Sequence, residues 1–181
     1  MMNQLKNFNF ISSNELTVVK TSFINFTYEI RDEQYAYALI SDPDKFIGTL
    51  NNTWTFEKDS SWDGKFTKIL IKNITAENVG FFTFEENSKN LLLEMNNGFK
   101  AELVKTSYLM GMKSDYVWRN ASFGDILTLK ESTWSGKKPI KIILNAPLSK
   151  SPTEMELMLL YGVAYSLTNR FRYIKLPLGL Y

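Results

Sequence analysis

Nineteen Asp and Glu residues, with no His and no Cys, leave this 181-residue chain carboxylate chemistry and little else. Without imidazole or thiolate, the commonest general base, the Ser-His-Asp triad, the cysteine nucleophile and the usual zinc site are all excluded. What remains is a carboxylate pair acting on a glycoside, or a set of oxygen ligands for a hard cation. Candidate acids stand close together in three places: Asp42 with Asp44; Glu57, Asp59 and Asp63; and Glu85 with Glu86. The segment Asp59-Ser60-Ser61-Trp62-Asp63-Gly64 lacks the regular ligand spacing and closing glutamate of a calcium loop. It reads instead as a polar hairpin turn. Neither G-x-G-x-x-G nor G-x-x-x-x-G-K-[ST] occurs, so no phosphate-binding glycine loop is present. The expectation is a non-enzymatic protein with no catalytic residues, no metal and no cofactor. A carboxylate-dependent, glycosidase-like hydrolase is the alternative.

The second chemistry is cationic. Net charge is only +2, but residues 1–99 hold 9 basic and 13 acidic side chains whereas residues 100–181 hold 12 and 6. Such asymmetry marks an anionic partner. Within the basic half, Lys137 and Lys138 follow Trp134-Ser135-Gly136, and Lys113 and Arg119 flank a strand carrying Trp118. Lys113, Arg119, Lys137 and Lys138 are the candidate ligands of an anionic headgroup, held by charge-assisted hydrogen bonds; the competing reading makes them the solvated outer face of a barrel, where charge is common. Trp134 or Phe123 would sit at the membrane interface beside them. A protein partner is the other occupant considered. Nucleic acid is not expected, because Lys68 to Lys72 offer charge without an aromatic on the same face, and no RNA-binding signature occurs.

Short strands must position these groups. Phe26, Tyr28 and Ile30 alternate with polar neighbours, as do Trp54 with Phe56 and Leu91, Leu93 with Met95. Further strands are expected over 15–21, 35–40, 46–50, 66–73, 80–85, 99–105, 109–112, 115–119, 127–131 and 140–144. Asn96-Asn97-Gly98 predicts a type I′ hairpin, and Asp63-Gly64 a second turn. One segment breaks the pattern. Met155 to Leu167 is apolar on nearly every side, so a helix over about 152–169 must be buried all round, with Leu157, Leu160, Tyr161, Gly162, Ala164 and Leu167 at its core. Ser151-Pro152-Thr153-Glu154 has the capping-box form. Gly162 costs about 1 kcal/mol of helix propensity, which predicts close approach of a neighbouring backbone. The run of 13 residues is shorter than the roughly 20 that span a bilayer, and contains Glu156. No transmembrane segment is expected. The opening residues lack an apolar signal region, and the lack of cysteine fits a reducing compartment, so a cytoplasmic protein, peripheral at a membrane, is expected.

About a dozen strands followed by one apolar helix, with no βα alternation, predict a single mainly-β domain over residues 1–181. The expected fold is a closed antiparallel barrel around the helix. In this order of elements the chain resembles the superfamily of tubby C-terminal domains, phospholipid scramblases and plant LURP-one-related proteins. The matching residues are Asn97-Gly98 with Phe99, the strand Lys138-Pro139-Ile140-Lys141-Ile142, and Leu157 to Asn169 as core helix. The resemblance implies a barrel of about twelve strands and, as in tubby-like domains, phosphoinositide recognition by surface lysine and arginine. Scramblase-type calcium binding is not carried over, because Thr168 and Asn169 stand where an acidic residue is needed and Arg170 to Tyr181 contain no carboxylate. A lipocalin-like small-ligand carrier is a further alternative, and it requires the helix to lie outside an empty barrel.

Overall fold

A strand that alternates apolar and polar residues has one face to bury, and twelve such strands follow one another here. The computed structural model describes residues 5–22, 27–41, 45–47, 54–59, 66–85, 90–108, 113–132, 136–146 and 152–171. After a 3-10 turn at Phe8–Phe10 come β1 (Glu15–Lys20), β2 (Tyr28–Arg31), β3 (Ala36–Ser41), β4 (Lys45–Ile47), β5 (Thr55–Lys58) and β6 (Phe66–Lys72). They are followed by β7 (Asn78–Glu85), β8 (Leu91–Met95), β9 (Lys100–Tyr108), β10 (Lys113–Asn120), β11 (Gly124–Glu131), β12 (Ile140–Leu144) and the helix α1 (Pro152–Phe171). Residues 109–112, expected as a strand, lie outside the described residues, as do Asp63-Gly64 and Ser151 of the capping box.

All strands join one antiparallel sheet in the order β4-β3-β2-β1-β12-β11-β10-β9-β8-β7-β6-β5. The last strand returns to the first: Ile140 pairs with Val18 and Ile143 with Glu15. The ring is nevertheless open. β4 and β5 end the sheet and share no ladder among the described residues, so the expected closed barrel does not form. These end strands have only three and four residues, too few to build a long ladder. The helix bridges the opening instead. It packs against β3 on one side, while on the other Phe56 of β5 meets Tyr161, and Trp54 just before β5 donates its indole N–H to Glu156 at 3.1 Å.

The sheet curls around α1 because that helix has no polar face to leave outside. Residues 154–167 are all buried. Inward-facing Leu16 and Val18 of β1, Tyr28 and Ile30 of β2, Ile69 and Ile71 of β6, Leu91 and Leu93 of β8, and Ile140 and Ile142 of β12 join Leu157, Leu160, Ala164 and Leu167 in one core. Full burial stabilises by about 1.5–3 kcal/mol per large aliphatic side chain. Glu154 and Glu156 enter this core only with partners, since an unpaired buried charge is costly. Besides the Trp54–Glu156 bond, the Asn97 amide donates to Glu154 at 2.7 Å. Among the described residues no helix is long and apolar enough to cross a membrane.

Two local expectations are revised. At Asn96-Asn97-Gly98 only Gly98 has positive φ, 88°. Gly98 N–H donates to Met95 and Met95 N–H to Phe99, which makes a three-residue loop with a glycine bulge rather than a type I′ turn. At Gly162 the close neighbour is a side chain, not a backbone. The Trp118 indole lies flush against the helix and donates to the Met158 carbonyl at 2.9 Å. A Cβ at Gly162 would sit 2.7 Å from the Trp118 Nε1 and 3.0 Å from Leu129 Cδ1.

Gly162→Ala should therefore destabilise the protein by about 1–3 kcal/mol despite its better helix propensity, as overpacking does; urea unfolding measures it, and an unchanged midpoint would refute the indole contact. Tyr161 predicts the opposite sign. Its ring stacks on Phe82 with centroids 3.8 Å apart, but its buried hydroxyl has no hydrogen-bond partner among the described residues. Tyr161→Phe keeps the stack and removes an unsatisfied group, so stability should rise by roughly 1 kcal/mol in the same assay.

Candidate functional site

The antiparallel register sorts the expected anion ligands into two groups. β9 ends and β10 starts at one end of the sheet, here the upper end, where Tyr108 pairs with Lys113. β11 finishes there and β12 starts, with Glu131 opposite Ile140. The 136–138 bend lies just above, and Lys20 N–H at the end of β1 donates to the Lys137 carbonyl at 2.8 Å. Lys113, Lys137 and Lys138 thus share the upper end, within about two strand spacings, or ~10 Å. Lys137 and Lys138 are exposed and Lys113 half-buried. Lys113 and Lys137 form no ion pair with any described residue.

Arg119 does not belong with them. Six residues further along β10, it lies about 20 Å away at the lower end, where its Nε donates to Asp125 at 2.7 Å. The two ends also border different depressions. A groove of about 630 Å³ along the outer face of β1, bordered by Val19, Thr17, Glu15, Arg31 and Asp32, reaches Lys138, while another of about 560 Å³ over β8–β10 reaches Arg119. Trp134 lies outside the described residues. The exposed aromatic at the upper end that sequence reasoning missed is Tyr108, 47% exposed beside Lys113. Lys130 and Lys141 were missed as well. Alternation puts each on the outer face, but only the register makes them direct cross-strand neighbours. Lys141 is partly neutralised by Glu15 at 2.8 Å.

The upper end also carries polar groups on the inward face. Ser114 N–H finds its acceptor in the Glu131 carboxylate at 2.8 Å, and the Ser107 and Ser114 hydroxyls lie 3.3 Å apart. The Lys105 ammonium stands 5.6 Å from the Tyr116 ring centroid, a cation–π distance. These contacts satisfy polar groups at the mouth of the core.

Of the candidate carboxylates only Glu57 and Asp59 have described side chains, and each is engaged by a lysine. Glu57 bonds Lys72 at 2.5 Å and Asp59 lies 3.7 Å from Lys68, both as outer-face ion pairs. Asp42, Asp44, Asp63 and Glu86 lie outside the described residues, as does the side chain of Glu85. Among the described residues no group of three or more acids is placed to hold a metal ion. The volume a lipocalin-like carrier would give its ligand is filled by α1.

Asp32, in the turn between β2 and β3, is held by three donors. It accepts the Tyr37 hydroxyl at 2.5 Å and the N–H groups of Gln34 and Tyr35, each at 2.7 Å. Burial alone would raise its pKa, but the Tyr37 hydroxyl, the two N–H groups and the Arg31 charge outweigh it and hold the carboxyl below its usual range. Burial, then the neighbouring carboxylate, pushes the Tyr37 hydroxyl well above its ordinary value. At the turn between β6 and β7, Asn73 and Thr75 donors likewise hold Glu77 low.

The architecture is an open twelve-stranded antiparallel sheet wrapped around one buried helix, with cations gathered at one end. No protein-family model, no curated protein and no solved structure matches the chain. The resemblance to the tubby and scramblase superfamily is therefore overturned, since neither the closed barrel nor any relative supports it.

The Asp32 cage gives a pH prediction. A folded-state pKa below the unfolded value means that its stabilisation is present above the unfolded carboxylate range, about 4, and is lost as pH falls through the folded value. The stability advantage of the wild type over Asp32→Asn should accordingly shrink between neutral and strongly acidic pH in urea denaturation. A constant difference would show that the charge is not what the cage holds.

Proposed function

We propose that this chain is a non-enzymatic binding module that takes a phosphate-bearing anion at the upper end of β10–β12. The observation that carries this reading is the convergence of Lys113, Lys137 and Lys138 in a chain whose net charge is only +2. Lys113 and Lys137 form no ion pair among the described residues, so their ammonium groups are available for an external phosphate. Tyr108 beside Lys113 offers an amphipathic ring next to the charge. Below them Lys130 and Lys141 stand side by side on the outer face, but Asp115 opposite Lys130 and Glu15 bonded to Lys141 balance their charge, so the cation excess stays at the upper end. Lysine suits phosphate as a point charge.

Binding should show the salt dependence of a multi-lysine contact. Each lysine near an anionic surface contributes about 1 kcal/mol, so changing Lys113, Lys137 and Lys138 together to Glu should weaken binding by a hundredfold or more. Two arms separate the sources of the phosphate: calorimetry with a soluble inositol polyphosphate, and co-sedimentation with vesicles containing a phosphoinositide. Binding in neither arm beyond that to phosphatidylcholine vesicles, or a phosphoinositide-dependent increment that survives the triple substitution, would exclude the proposal. Capture of an acidic protein instead of either ligand would also exclude it.

A further inference from the structure

The lower end of the sheet repeats one local device. At each of three places an Asx side chain accepts backbone N–H groups from the residues just after it, and an exposed aromatic stands three positions on. Asn7 accepts Asn9 N–H before Phe10, Asp32 accepts Gln34 and Tyr35, and Asn120 accepts Ser122 and Phe123. The β6–β7 turn varies the theme. Asn73 Oδ1 accepts the N–H groups of Thr75 and Glu77, Ala76 sits in the left-handed region at φ 62°, and Ile74 is held outward. Phe10, Tyr35, Ile74 and Phe123 are 68%, 43%, 73% and 48% exposed. They are four of the six exposed large hydrophobics among the described residues.

Topology sets their spacing. The β2–β3, β10–β11 and β6–β7 turns follow one another four strands apart along the curled sheet, about 19 Å at the usual strand separation. Phe10 projects from the 3-10 turn docked beside β3, where Lys6 N–H donates to the Ala36 carbonyl. Single apolar side chains stand at well-separated points of one rim, each on a loop whose backbone is already fixed by its Asx acceptor. Fixing the loop beforehand lowers the ordering cost of binding.

We propose that this rim seats the protein on a lipid bilayer of low surface charge, with Phe10, Tyr35, Ile74 and Phe123 entering the interface. A protein partner would call for a contiguous apolar centre, as interfaces concentrate their energy in one desolvated core. A fluid bilayer has no such requirement and buries each tip where it stands, and aromatic side chains favour its interfacial zone. The charges of the rim select the lipid. Arg119–Asp125 and Lys100–Glu94 are neutralised pairs; Lys6, its ammonium 5.4 Å from the Tyr35 ring centroid, adds one positive charge, against which Asp32, Glu33 and Glu77 form no ion pair among the described residues. That residue of negative charge disfavours anionic lipid and admits a zwitterionic surface. Seated in this way, the protein points its lysine end away from the bilayer by the length of β9 and β10, about 25–30 Å.

The test is co-sedimentation of the full chain with phosphatidylcholine vesicles at low and high salt. Wild type is expected to bind with little salt dependence. Phe123→Ser should weaken binding by about tenfold, and Tyr35→Ser/Ile74→Ser/Phe123→Ser should abolish it while circular dichroism stays native. Asn120→Ala, which keeps Phe123 but loosens its loop, should weaken binding a few-fold. The Lys113/Lys137/Lys138→Glu variant should bind these vesicles like wild type, which separates failure of the rim from failure of the anion site. No binding by wild type, or undiminished binding by the triple serine variant, would overturn the proposal. A rim substitution that abolishes self-association and leaves vesicle binding intact would overturn it too, in favour of a second copy as the occupant.

Discussion

The structure depends on a helix that water cannot be allowed to reach from any side. Helices of ordinary domains keep one polar face and lie on a sheet, but α1 is buried over residues 154–167 and can be satisfied only by being surrounded. A twelve-stranded antiparallel meander does this by curling until its last strand pairs with its first. The remaining interruption, between β4 and β5, is bridged by the helix itself through Trp54, Phe56 and its packing on β3. Closure by side-chain packing replaces closure by a backbone ladder. The fit is tight enough that Gly162 has no room for a Cβ beside the Trp118 indole.

A core filled by its own helix moves any recognition to the ends and the outer face. The outer face is largely occupied by neutralising pairs such as Lys141–Glu15 and Lys72–Glu57. The two ends differ in chemistry. Lys113 and Lys137, without ion pairs among the described residues, gather with Lys138 where β10 begins, while the opposite rim carries isolated apolar tips on loops held by Asx acceptors. Because neighbouring strands are antiparallel, every second loop goes to the same end. This alternation places Tyr35, Ile74 and Phe123 on the same rim, well separated from one another, although they are far apart in the chain.

Much of this was legible from residue types alone. Alternation in segments such as Leu91–Met95 and Ile140–Leu144 marks strands with one buried face, and the uniform apolarity of Met155–Leu167 requires an enclosed helix; both follow from local periodicity. The lysine excess of the second half is equally a matter of counting. The site was less legible. Lys113 and Arg119 are near neighbours in sequence on one strand, yet a strand of that length separates its ends by about 20 Å, so they act at opposite ends. Lys130 and Lys141, eleven positions apart on consecutive strands, become direct neighbours only through the register of β11 and β12.

The same division holds for the architecture. Local pattern dictates that there is a sheet with one apolar face and a helix with no other place to go, because burial of each side chain depends on its own periodicity. Whether the sheet closes depends on which backbone edges meet, and that is settled by long-range geometry: the short β4 and β5, the indole of Trp54 reaching Glu156 more than a hundred residues away, and the volume α1 takes up. A hydrogen-bond ladder between two edges leaves no mark in the alternation of either strand. A closed barrel and an open, helix-bridged sheet therefore share the same sequence pattern, and only the tertiary packing distinguishes them.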